Sequence, residues 1–251
     1  MRLTDAVVLV TGASAGIGHA AAVRFATRGA RVLVHNGDPE RTQKVAGEAL
    51  VADLASPPDR QRLAADALDA FGRVDVLVNN AGFGYSGPVS AMPVDVIRRL
   101  IDVDLLAAIE LTRSLLPGMV ETNHGAICFV TSIAGRVGVA GEAVYSATKA
   151  GLDAFAESLR AETARSGVGI NVVVPGVVDT GFFETRGSPY ARTRATTDAC
   201  RHGRRRRGPG RGARPRGSVG AAVAAYRRDR ARAGSRRVST ARGPLPRVSL
   251  K

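Results

Sequence analysis

Two cysteines, Cys128 and Cys200, are too few for a disulfide framework, so a reducing, cytoplasmic setting is the expectation. No unbroken apolar stretch approaches the roughly 18 residues of a membrane-spanning helix, and no membrane partner is expected. The apolar run within Met1–Val10 is short for the core of a secretory leader and reads instead as a buried strand. The four histidines, His19, His35, His124 and His202, have no metal-ligand spacing with one another or with the cysteines. No metal site is therefore expected, and each histidine reads as a solvated or locally bonded side chain. There is also no internal repeat of the solenoid or propeller kind.

What is present is enough for one α/β domain with a full core: 251 residues, 45% of them hydrophobic. The net charge of +14 is unevenly placed. Through Tyr190 there are 17 Lys and Arg against 20 Asp and Glu, whereas from Ala191 onward there are 19 against 2. A mildly acidic body over 1–190 thus precedes a strongly basic segment over 191–251.

Within the body, short β-branched runs alternate with amphipathic segments. Strands are predicted at Ala6–Val10, Arg31–His35, Ala49–Val51, Val74–Val78, Ala126–Val130 and Gly169–Val174. Helices are predicted at Ile17–Arg28, Pro39–Ala46, Asp59–Phe71, Pro93–Leu116 and Tyr145–Ser166. Strands rich in Val and Leu, without polar alternation, are expected to be covered on both faces. Regular β–α alternation predicts a single α/β domain, a doubly wound parallel sheet with helices on both faces. Such sheets bind ligands beyond the carboxyl ends of their strands, which gives weight to motifs at those places.

Thr11-Gly12-Ala13-Ser14-Ala15-Gly16-Ile17-Gly18 follows the first predicted strand and opens a helix. Glycines there permit a tight turn and a close approach of main-chain N–H groups to a pyrophosphate. A Gly-rich turn alone is weak evidence; its place between strand and helix makes it a nucleotide-site candidate. Asp53-Leu54, Asn79-Asn80-Ala81-Gly82 and Thr131-Ser132 each follow a later strand. Tyr145-Ser146-Ala147-Thr148-Lys149 opens a helical pattern in which Tyr145 and Lys149, four apart, share one face.

Together with Pro175-Gly176-Val177-Val178-Asp179-Thr180 after the sixth strand, these motifs resemble the short-chain dehydrogenase/reductase family over about residues 5–190. The separation of Ser132 and Tyr145 is the one that family uses. The resemblance implies a Rossmann-like fold and hydride transfer between NAD or NADP and a small carbonyl or secondary alcohol. It implies a cofactor site made by Gly12, Ser14, Gly16, Ile17, Gly18, Asn36, Asp53, Leu54, Asn80, Ala81, Gly82, Tyr145, Lys149, Pro175, Gly176, Val178 and Thr180. It further implies catalysis by Ser132, Tyr145 and Lys149, and a homodimer or homotetramer built on the long helices near Pro93–Leu116 and Tyr145–Ser166.

The residue types fit those roles. A tyrosine with a pKa near 10 needs a shift of about 2–3 units to act as a base near neutral pH. A lysine ammonium about 5 Å away supplies roughly 3 kcal/mol at an effective dielectric near 20, so Lys149 is the expected activator. Ser132 can donate to the substrate oxygen, or, more plainly, satisfy local backbone at a strand end. Asp104 stands where the family usually has the Asn of a water-linked proton relay. A participating Asp104 carries a negative charge towards Tyr145. At the end of the second strand, His35-Asn36-Gly37-Asp38 offers neither the acidic residue expected for NAD nor a basic one for NADP, although Arg41 is near. Substrate contacts are expected from loops holding Phe83, Tyr85, Val139, Phe182 and Phe183, and Cys128 reads as a small core hydrophobe.

The basic segment includes Arg204-Arg205-Arg206-Arg207 and one aromatic, Tyr226. Taken at face value it is a disordered polycationic arm, able to bind nucleic acid non-specifically through phosphate charge. This leaves an alternative function, a catalytically weak nucleotide-binding protein attached to nucleic acid. A further reading is that the segment is frameshift-derived. The family resemblance fades after Tyr190, and the helix and final hydrophobic strand implied next are replaced by Arg, Gly, Pro and Ala, residues typical of GC-rich codons read out of frame.

Overall fold

The computed structural model describes residues 2–36, 47–176, 178, 182 and 186. Six parallel strands form its centre: β1 (Val7–Thr11), β2 (Arg31–Asn36), β3 (Glu48–Val51), β4 (Val76–Asn79), β5 (Gly125–Val130) and β6 (Val168–Val173). Their order is β3-β2-β1-β4-β5-β6, so the chain direction across the sheet reverses between β1 and β4. This is the doubly wound, Rossmann-like topology that the sequence pattern predicts, and the crevice between β1 and β4 is its switch point.

The strand sequences explain the layers. In β1, β2, β4 and β5 nearly every residue is buried, because alternate side chains face two covered sides. Val7, Leu9, Leu33, Leu77, Ile127 and Phe129 point to one core, which is closed by α2 (Pro57–Phe71), α4 (Ala107–Glu121) and α6 (Ala143–Glu162). Val8, Val10, Val32, Val34, Val76, Val78 and Cys128 point to the other, closed by Ala21, Ala22 and Phe25 of α1 (Gly16–Ala26). Cys128 is fully buried there, and burial pushes its thiol up to about 12.

Most predicted elements are present with ends shifted by a few residues. The predicted strand at Val74–Val78 begins only at Val76, since Asp75 receives the Val7 main-chain N–H on its carboxylate. The predicted single helix Pro93–Leu116 is α3 (Val94–Ile101), a π-helical turn at Asp102–Leu106, and α4, which runs on past Pro117 to Glu121. A short α5 (Ala134–Val137) was not foreseen, and α6 starts two residues ahead of Tyr145. The predicted helix Pro39–Ala46 and the basic segment 191–251 lie outside the described residues. None of the described helices is long and apolar enough to cross a membrane.

Candidate active site

The carboxyl ends of β1 and β4 are tied together by hydrogen bonds from uncharged groups. The Thr11 hydroxyl donates to the Val78 carbonyl and accepts the N–H groups of Asn80 and Ala81, each at 3.0 Å. The Asn80 amide donates to the Thr11 and Gly12 carbonyls at 2.9 and 3.0 Å. Gly12 takes a positive φ of 64°, and a Cβ on it would lie 2.8 Å from the Ala81 main chain. A Cβ on Gly18 would lie 2.3 Å from the Gly12 carbonyl oxygen. The turn is therefore bare backbone, and α1 begins from it with no side-chain cap and no acidic residue in its first turn. Its free N–H groups suit an anion.

A cavity of about 730 Å³ opens over this turn. Gly12, Ser14, Gly16, Ile17, Asn36, Asp53, Leu54, Asn80, Ala81, Gly82, Pro175, Gly176 and Val178 line it, together with Ser132, Tyr145 and Lys149. Gly18 does not; it sits behind the turn, where its lack of a side chain lets α1 approach Gly12. Thr180 lies outside the described residues, as do Asp38, Arg41 and Phe183. Of the expected substrate contacts, Phe83, Val139 and Phe182 line the cavity, whereas Tyr85 packs with Phe83 and Phe182 around Tyr145 beyond the wall. The volume and the uncapped helix end fit a dinucleotide with room for a small substrate.

Ser132 follows β5, and its oxygen accepts the Ala134 N–H at 3.1 Å. Tyr145 is largely buried at the start of α6, with the Phe182 ring 5.5 Å from its own. Lys149, one turn on, has its Nζ 5.6 Å from the Tyr145 ring centre. Asp104 does not line the main cavity. It lies in the π-helical turn behind it, 1% exposed, with one carboxylate oxygen accepting the Phe83 N–H at 3.0 Å. The other oxygen is 3.4 Å from Lys149 Nζ, making an ion pair sealed from solvent.

These neighbours set the titration of the site. Burial raises the Tyr145 pKa above its ordinary value; Lys149 opposes the rise and Asp104 adds to it. Lys149 does pull the tyrosine down, in the direction expected of it, but burial outweighs that pull and Asp104 counters it. Lys149 itself is raised, because Asp104 and Tyr145 together overcome the burial that lowers it. Burial raises Asp104 as well, against the pull of Lys149 and Phe83.

Residues 6–191 match the family model for short chain dehydrogenases. The chain belongs to this family. It is 35% identical over 193 residues to dehydrogenase/reductase SDR family member 7B of Mus musculus, covering 72% of this chain but only 60% of that relative's length. A metagenomic short-chain oxidoreductase solved in complex with NADP is 36% identical, with a TM-score of 0.67 over 71% of this chain and 85% of the other. A 3-ketoacyl-(acyl-carrier-protein) reductase from Brucella melitensis, complexed with NADH, is 29% identical, with a TM-score of 0.70 over 73% and 80%.

Three features of this short-chain dehydrogenase went unread in its sequence. His35 is not solvated or locally bonded but buried at the end of β2. Its Nδ1 accepts the Gly12 N–H at 3.4 Å, so Nε2 carries the proton that meets the Ala52 carbonyl at 3.1 Å. A polar residue ending an otherwise apolar strand was the available signal. Arg60, 2% exposed, grips Glu110 and the Leu54 carbonyl, fixing the loop after β3. Glu142 pairs with Arg186, beyond β6, at the cavity edge. Among the described residues, no group of three or more His, Cys, Asp or Glu is arranged to hold a metal ion.

Proposed function

We propose that this protein is an NAD(P)-dependent oxidoreductase that moves a hydride between nicotinamide and a carbonyl or secondary alcohol, with Tyr145 exchanging the proton. The observation that carries this is the convergence of Ser132, Tyr145 and Lys149 on the same cavity as the bare-backbone turn after β1. The turn and the α1 N-terminus would hold the pyrophosphate, Asp53 and Leu54 the adenine end, and Lys149, Asn80 and the segment from Pro175 the nicotinamide end. A bound nicotinamide supplies or takes up the hydride at its C4 position. The chain's own residues handle the oxygen: Ser132 donates to it, and Tyr145 gives it a proton in reduction or removes one in oxidation. Relatives complexed with NADP and with NADH leave both cofactors as candidates.

The substrate class is a hydrophobic or medium-sized carbonyl compound, because Phe83, Ile133, Val139 and Phe182 make the cavity wall apolar on the side of Tyr145. A panel of ketones and alcohols, 3-oxoacyl compounds included, followed at 340 nm with both cofactors tests this reading. Tyr145→Phe is expected to abolish turnover while leaving cofactor affinity near normal, and Lys149→Ala to harm both. More than a few per cent of activity in Tyr145→Phe would remove the assignment.

The domain reading is a catalytic unit over 1–190 and a segment of separate character after it. It is supported by the family match, which stops at residue 191 where the charge balance changes. Translating the other frames beyond codon 190 checks a frameshift origin: a hidden helix and hydrophobic strand would support it, and their absence would defeat it. A homodimer or homotetramer through α3–α4 and α6 is the proposed assembly, measurable by light scattering.

A further inference from the structure

We propose that Asp104 is a positioning residue that neutralises Lys149 from behind the site and thereby keeps the proton on Tyr145, so that the enzyme favours carbonyl reduction over alcohol oxidation. The inference rests on Tyr145 being the acid/base, and it assigns a direction to that same chemistry.

The geometry behind it is specific. Phe83 anchors one oxygen of the Asp104 carboxylate, and the other faces Lys149 Nζ. A π-helical turn places Asp104 there by pushing one extra residue into the helix, a distortion that recurs at functional positions. Gly82 roofs the pair: a Cβ on it would lie 3.0 Å from the Asp104 oxygen and 3.1 Å from Lys149 Nζ. Beneath Asp104 is a cavity of about 10 Å³, room for one water at most, lined by Thr11 and Asn79 as well as by Leu54, Val103, Leu111 and Leu152. At most one water can reach the carboxylate there, and its charged partner is Lys149.

Among the described residues, the other charged groups around Tyr145 are matched among themselves. Glu142, at the start of α6, pairs with Arg186; Arg99 of α3 pairs with Asp53 after β3; Arg136 of α5 pairs with Asp153 of α6. Ser132, after β5, is neutral. Among the described residues, the balance felt by the phenol is thus set by Lys149 and Asp104. A lone ammonium would favour the phenolate that alcohol oxidation needs. An ammonium already paired leaves burial dominant, and burial favours the protonated phenol that reduction needs. The raised Tyr145 and raised Lys149 are the titration expected of this arrangement.

The chain has four tyrosines and no tryptophan, so phenolate absorbance near 295 nm can be followed with little background. The Tyr145 step is isolated by subtracting the Tyr145→Phe titration. A unit charge within about 10 Å, at an effective dielectric near 20, moves a pKa by about one unit or more. Asp104→Asn is therefore expected to lower Tyr145 ionisation by about one to two pH units. The alkaline limb of the reduction profile should fall by the same amount, and alcohol oxidation at neutral pH should rise about tenfold. Asp104→Ser, which removes the same charge with a smaller side chain, must move the titration in the same direction. An unmoved Tyr145 step in both variants would overturn the proposal, and so would loss of the fold in both, which would make the pair a structural clamp. Turnover by Tyr145→Phe defeats the acid/base reading itself. An inactive Tyr145→Phe beside an unmoved titration in the Asp104 variants defeats only the role given to Asp104.

Discussion

The two walls of the cavity are built from different materials. The wall over β1, β2 and β4 is main chain: glycine turns, uncapped N–H groups, and the neutral side chains of Thr11, Asn80 and His35 holding strand ends together. The wall over β5 and α6 carries a buried phenol and an ammonium, the ammonium paired from behind with the Asp104 carboxylate. A main-chain wall is fixed by packing and, His35 apart, its charge does not depend on pH. A wall of buried ionisable groups is fixed by mutual charge, and a change of one atom at Asp104 alters it. Binding and proton transfer are thereby entrusted to separate parts of the same cavity, which makes them separable by mutation.

The largest expected break in this comparison comes from Gly18→Val. Its Cβ would drive into the Gly12 carbonyl, and the backbone must move to relieve the clash. Cofactor affinity measured by NADH or NADPH fluorescence should fall about 100-fold, roughly 2.7 kcal/mol, the reverse of the pattern expected for Tyr145→Phe. Unchanged affinity would mean that the turn is not a rigid cradle.

Arg60→Met tests whether the main-chain wall needs charged support from outside the cavity. Arg60 is buried but Glu110 is one-third exposed, so the loss is expected below the roughly 3–5 kcal/mol of a fully buried broken pair, at about 2 kcal/mol. For a domain of this size that lowers Tm by roughly 4–8 °C, with kcat near normal when measured on folded protein. A Tm within a degree of wild type would show that the loop after β3 holds itself.

His35, at the end of β2, is an ionisable group within this wall, and burial lowers its pKa below the ordinary value. The unfolded chain then binds a proton that the folded protein resists. Its contribution to stability is complete above about pH 6.5 and is lost as pH falls below that value, at up to about 1.4 kcal/mol per pH unit. Comparing denaturation midpoints at pH 7.5 and 5.5 for wild type and His35→Gln checks this. The variant should lose less stability on acidification, and equal slopes would exclude His35 as the source.

The smallest effect is expected at the edge. Arg186→Ala removes the partner of Glu142 and should raise the substrate KM a few-fold with kcat within about twofold. A fall in kcat alone would place that ion pair in the proton-transfer wall and blur the division drawn here.

The sequence by itself determined the sheet, the order of its motifs and the cavity they meet in. Val and Leu runs in β1, β4 and β5 declare strands covered on both faces, and the glycines after β1 declare the turn, because periodicity and turn chemistry are settled within a few residues. Ser132 and Tyr145 were legible by their separation. Only the tertiary structure decided that the helix before Asp104 takes a π-helical turn, that Asp104 meets Lys149, that Arg60 reaches Glu110, and that His35 bridges Gly12 to Ala52. The turn aside, each of these joins residues 17 or more positions apart, where no local pattern links the partners. Burial then decides their effect: it strips water from a charge whose strength at Tyr145 depends on which side chains fold against it.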